Sequence, residues 1–253
     1  MKNMKLVNKV ILLLLVTCQC AWSQPAFDTA NELYRKGDFA KAAEAYESLL
    51  KTGKESAEVY FNLANAYYKQ NKVAPAIYNY EKALLLDPND AEIKNNLSFA
   101  QKMQIDEIKE VKNVGLQNWV RQITLVVHYN TWAMIAVGFS TLFLLLFLGY
   151  YFTASTLFKR IFFGGMLLVF LFLLLSILAA VFERGIYQSE RPAIVFSASV
   201  GVKSEPSQNV EDAFVLHEGT KVHVVESLDD WRKIELPDGN QGWISHEAIR
   251  ELK

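Results

Sequence analysis

Two unbroken apolar runs dominate the hydrophobic pattern of the chain, at residues 131–152 and 161–182. Each is 22 residues long and carries no charged side chain. At about 1.5 Å per residue, a helix of that length crosses a hydrocarbon core of about 30 Å. The pattern therefore predicts a transmembrane hairpin, with a link at 153–160 that carries Lys159 and Arg160. Ahead of the runs, apolar positions recur at helical spacing. After them, over 191–253, they come in short runs at 193–196, 214–216, 222–225, 231–236 and 242–244. Turn residues separate these runs: Glu218-Gly219, Asp229-Asp230 and Pro237-Asp238-Gly239-Asn240. That spacing predicts a small β-barrel. The expected fold class is multi-domain: α-helical repeats, a two-helix transmembrane hairpin and an all-β domain.

The helical part, 24–108, repeats itself. Gly37, Ala42 and Tyr46 recur 34 residues later as Asn71, Ala76 and Tyr80. A period of 34 is the tetratricopeptide signature. In the second copy Tyr60, Leu63, Ala64, Tyr67, Ala76, Tyr80, Ala83 and Pro88 follow the consensus positions in order. Small Ala64 and Ala76 let two helices approach closely, and the large tyrosines fill the space around them. The reading is two repeats, then a capping helix within 91–108. In such arrays the first helix of each repeat lines a concave groove. Asn31, Asn62, Asn65 and Asn96 fall at groove positions, where an amide donates to and accepts from a ligand backbone. Phe27 and Glu92 stand where a carboxylate clamp would need a basic residue.

The N-terminus reads as an export signal. Lys2, Lys5 and Lys9 precede an apolar stretch at 10–16, and Ala21-Trp22-Ser23 supplies small residues for cleavage, giving a signal peptide at 1–23. Retention as an uncleaved anchor, or lipidation at Cys18 or Cys20, are the other readings. Cleavage at Ser23 removes both cysteines, so no disulfide is expected. The connector, 109–130, is amphipathic through Leu116, Trp119, Val120, Ile123 and Val127. It lies in the headgroup layer or packs on the array. With an export signal and two spans, the array and the β domain are expected in the periplasm and the link in the cytoplasm. The two link cations agree with that orientation.

A net charge of −1 gives no sign of a nucleic-acid binder. The spans lack ionisable groups other than tyrosine, which argues against a transport path. Neither His128, His217, His223 and His246 nor the carboxylates show metal-ligand spacing, and no nucleophile or phosphate-loop motif is present. No enzyme activity, cofactor or metal is expected. Binding is the expected activity, to protein partners and not to nucleic acid.

Leu216, Glu218-Gly219-Thr220, Val222, Val224, Trp231, Lys233, Ile234, Gly239, Gly242-Trp243-Ile244 and Ile249 resemble the bacterial SH3-like family, as does Val202-Lys203-Ser204-Glu205-Pro206. That resemblance implies a peptide or cell-wall ligand, with Trp231 and Trp243 as the aromatic candidates and barrel core as the alternative for both. The order of parts, with Asn130-Thr131-Trp132-Ala133 opening the first span, resembles the Bat E family of the aerotolerance operon. The resemblance implies an inner-membrane scaffold for von Willebrand-type Bat proteins and a MoxR-type ATPase. A peptidoglycan-binding sensor of wall state is the other function it leaves open.

Overall fold

The structure, a computed structural model, describes residues 25–108, 124 and 129–253. The expected signal at 1–23 lies outside the described residues. So does the connector at 109–130, apart from Thr124, Tyr129 and Asn130.

Five helices form the N-terminal array: α1 (Pro25–Arg35), α2 (Phe39–Lys51), α3 (Ala57–Lys69), α4 (Val73–Leu86) and α5 (Ala91–Gln101). Each boundary has a local cause. Asp38, Ser56 and Asp90 accept backbone amides at the starts of α2, α3 and α5. Gly37 (φ 82°) and Asn71 (φ 58°) turn the chain through the left-handed region after α1 and α3. Those are the residue types that tolerate this conformation after a helix. The 34-residue repeat is therefore also a repeat of backbone geometry. Pro75 sits in the first turn of α4, where its missing amide is not needed. Ala42, Ala64, Ala76 and Ala83 are completely buried, and Tyr46 and Tyr80 are 1 % exposed. The small-against-large packing is as the sequence predicts. The expected cap at 91–108 is helical only through Gln101; Gln104 to Ile108 runs on without helix.

Helices α6 (Tyr129–Phe152) and α7 (Thr156–Ser189) are both long and apolar enough to cross a membrane. They contain the two apolar runs and extend beyond them. Thr156 to Arg160, expected in the link, form the first turns of α7, which leaves a connection of three residues, 153–155. The close approach is at Gly149, where an added Cβ would stand 2.9 Å from the Phe162 ring. Gly164 has open space instead. The outward faces carry Met134, Leu145 and Leu178, each more than half exposed, as suits helices whose solvent is lipid.

The C-terminal domain is an antiparallel sheet of seven strands: β1 (Pro192–Val195), β2 (Ser199–Lys203), β3 (Asp212–His217), β4 (Lys221–Leu228), β5 (Trp231–Glu235), β6 (Gln241–Ser245) and β7 (Ile249–Glu251). Their order is β3-β2-β6-β5-β4-β1-β7. β4 alternates as expected, with Val222 and Val224 inward and Lys221 and His223 outward. β1 does not alternate; all four of its residues are buried. Ala193 and Val195 point into the sheet's own core, while Ile194 joins the core of the helical array together with Leu252. A strand buried on both faces reads as a continuous apolar run. The array and the β domain thus share a hydrophobic core.

Candidate functional site

The four asparagines expected to line a groove form two copies of one hydrogen-bond unit. Asn31 Oδ1 accepts from the Tyr46 hydroxyl at 2.5 Å and from Asn62 Nδ2 at 3.1 Å. Thirty-four residues on, Asn65 Oδ1 accepts from the Tyr80 hydroxyl at 2.6 Å and from Asn96 Nδ2 at 3.0 Å. The units tie α1 to α3 and α3 to α5 along the row of first helices. Both tyrosines are raised by burial, Tyr46 to about 12, so each hydroxyl stays a donor. All four asparagines are half-buried. The ladder uses Nδ2 of Asn62 and Asn96 but not their Oδ1, and Oδ1 of Asn31 and Asn65 but not their Nδ2. The row of first helices is therefore braced by groups of the kind that recognises a peptide backbone.

Trp231 and Trp243 lie on one face of the sheet. Opposite residues in an antiparallel pair share a face. Trp231 stands opposite Ser245, and Lys233 opposite Trp243. The two indoles are diagonal neighbours, a step of roughly 7–8 Å that aromatic side chains can cover. Ile234 and Ile244 point the other way, into the core. Trp243, 9 % exposed, is buried outside the core cluster; Trp231 is half-buried. Lys203 stands opposite Trp243 from β2 and pairs with Asp212 at 3.0 Å. The indoles stand on β5 and β6, on the sheet face that also carries Ile194 and Lys221, where β1 and the start of β4 meet the array.

That contact with the array involves residues the sequence reading did not single out. Asp106, just beyond α5, accepts three hydrogen bonds from the β3–β4 turn. His217 N donates to Oδ2 at 2.7 Å, the Thr220 hydroxyl to Oδ2 at 2.7 Å, and His217 Nδ1 lies 2.8 Å from Oδ1. Burial pushes Asp106 up, but the bonds from Thr220 and His217 outweigh it and hold the carboxyl below the usual range. Gln104 Nε2 donates to Gly219 O at 2.5 Å. On α4, buried Glu81 pairs with Lys221 at 2.7 Å, and Tyr78 meets the Phe196 ring edge-on at 5.6 Å. His217, which shows no metal-ligand spacing in the sequence, is half-buried against Asp106. The hint was in β1, whose unbroken apolar run asks for a second covering surface.

Two families match parts of the chain. Residues 27–91 match the tetratricopeptide repeat family, and residues 198–251 match the bacterial SH3 domain family. No curated protein sequence matches the chain. Both matching families are typically non-catalytic binding domains. The chain thus carries a tetratricopeptide array and a bacterial SH3 domain joined through a pair of membrane-length helices.

Proposed function

We propose that this protein is a non-enzymatic membrane adaptor, in which the groove of the array holds a protein partner and the SH3-like domain holds a second ligand. The observation that carries the reading is the packing of two binding domains into one body at the mouth of an apolar hairpin. A shared core and the Asp106 bonds support a placement of both domains on one side of the membrane, as two spans would give. The export signal read at the N-terminus makes that side the periplasm of an inner-membrane protein, with Ser23 as the cleavage site and 153–155 in the cytoplasm. The order of parts supports a place in a Bat system, with von Willebrand-type Bat proteins and a MoxR-type ATPase as partners and a role in oxygen tolerance or envelope stress.

The test is purification of the intact protein from its native membranes, beside the Asn62→Ala/Asn96→Ala variant. Wild type should bring down von Willebrand-type partners and the variant should lose most of them. Recovery of the same proteins at background level from both would end the adaptor reading. Two indoles side by side on β5 and β6 favour a second reading, a peptidoglycan-binding sensor. The full-length protein in detergent should then sediment with purified sacculi, and Trp231→Ala should leave it in the supernatant. Equal sedimentation of both proteins would remove Trp231 from the site.

A further inference from the structure

A pocket of about 210 Å³ opens where the array, the end of α7 and the C-terminal segment meet. Lys82, Lys253, Tyr60, Tyr187, Glu55 and Leu86 are among the residues that wall it. It is well above the space that one water needs. Its two ammonium groups rest on aromatic rings. Lys253 Nζ stands 3.6 Å from the Tyr187 ring centroid, and Lys82 Nζ lies 5.8 Å from that of Tyr60. Lys253 also caps the end of α7 by donating to the carbonyls of Tyr187 and Glu190. Neither lysine forms an ion pair with a carboxylate among the described residues. The one carboxylate in the wall, Glu55, is engaged by the Tyr60 hydroxyl. The pocket therefore sets two ammonium groups, neither in an ion pair among the described residues, against one carboxylate in its wall, Glu55, with Glu190 close enough to act on Lys253.

Its height relative to the membrane is set by α7. The apolar run ends at Phe182, and Tyr187 lies five residues further, about 7.5 Å along a helix. The headgroup layer on one side of a bilayer is about 5–8 Å thick. Tyr129, at the start of α6, packs against Tyr187 at 5.4 Å between ring centroids. Paired tyrosines at both ends of the hairpin's mouth mark the level at which aromatic belts sit. An anion present at that level in every phospholipid membrane is the headgroup phosphate.

We infer that this pocket binds the phosphate of an anionic phospholipid, with Lys82 and Lys253 as the charged contacts and exposed Leu86 toward the lipid's apolar part. Desolvation pushes Lys253 below the usual lysine range, with Lys221 adding to the shift and Glu190 opposing it. A lysine in that position gains from an anion beside it. A zwitterionic lipid would bring its own ammonium toward the two lysines, so phosphatidylglycerol is favoured over phosphatidylcholine. The lipid would fix the array and the SH3-like domain to the bilayer surface.

The full-length protein in detergent, titrated with phosphatidylglycerol or phosphatidylcholine and read by native mass spectrometry, tests this. Wild type should retain one phosphatidylglycerol in preference to phosphatidylcholine. Lys82→Gln/Lys253→Gln should weaken that binding by about 30-fold, at roughly fivefold per lysine. Lys82→Arg/Lys253→Arg should keep it. Lys82→Gln alone leaves the α7 cap intact, and a roughly fivefold loss there decides the matter if the double variant does not fold. Equal retention of both lipids, undiminished binding by Lys82→Gln, or displacement by inorganic phosphate at lipid concentrations would overturn the inference.

Discussion

Asn31 and Asn65 show what a single residue does here. Each carbonyl oxygen accepts two hydrogen bonds from other helices, so removing it leaves a tyrosine hydroxyl and an amide without their acceptor. Tyr80→Phe removes one bond and leaves the ring packed, for an expected loss of about 1 kcal/mol. Asn65→Ala strands both donors and should cost about 1–3 kcal/mol, more than Tyr80→Phe, measured by urea unfolding of the intact protein in detergent. Equal losses would mean that the Asn96 bond contributes nothing. The sequence register was enough to place these asparagines at matching positions of the first helices. It could not show that they pair with one another, because a contact over 31 residues depends on how successive helices are stacked. The same limit applies to Trp231 and Trp243. Their strands were expected, but their common face follows from the register of β5 against β6.

At the scale of elements, periodicity located most helices and strands, and the misses have local causes. β2 and β7 went unread as strands. β2 mixes Ser, Gly and Lys with two valines, and β7 is three residues long. α7 outruns its apolar stretch because Thr156 to Arg160 and Glu183 to Ser189 contain no proline and only one glycine to stop it. The β3–β4 turn is where two elements of distant origin meet. Gly219 has φ 89°, and an added Cβ would lie 3.0 Å from both Ile77 Cδ1 and Val73 Cγ1 on α4. Gly219→Ala therefore carries backbone strain of about 1–2 kcal/mol and also presses the array away. Limited proteolysis should cut this variant faster than wild type at 104–108. An unchanged cleavage rate would show that the turn does not seat against α4 in solution.

At the scale of the whole molecule, the bonds to Asp106 make the union of the two domains depend on acidity. The folded-state value of this carboxyl is depressed relative to its unfolded value of about 3.9. Its contribution is fully present above that value and is lost as pH falls through the folded-state value. His217 and Thr220 are the groups that face it. Hydrogen exchange of the His217 amide should stay slow from neutral pH to about 4 and, once corrected for intrinsic rate, quicken below that. In Asp106→Asn the acid-induced step should vanish; its survival would point to another group. The union itself was hidden from sequence reading. Lys221 meets Glu81 across 140 residues of chain, and no local pattern reports such a pairing.

The hairpin between those partners works as a tether. It returns the chain to the level it left, so contact between the array and the SH3-like domain is an intramolecular event. A contact too weak to join two free proteins at micromolar levels then stays closed nearly all the time. A ligand that opens it must compete against that intramolecular contact and binds with an affinity reduced by the small fraction of open molecules. Once such a ligand leaves, the same tether lets the contact re-form without a search through the membrane.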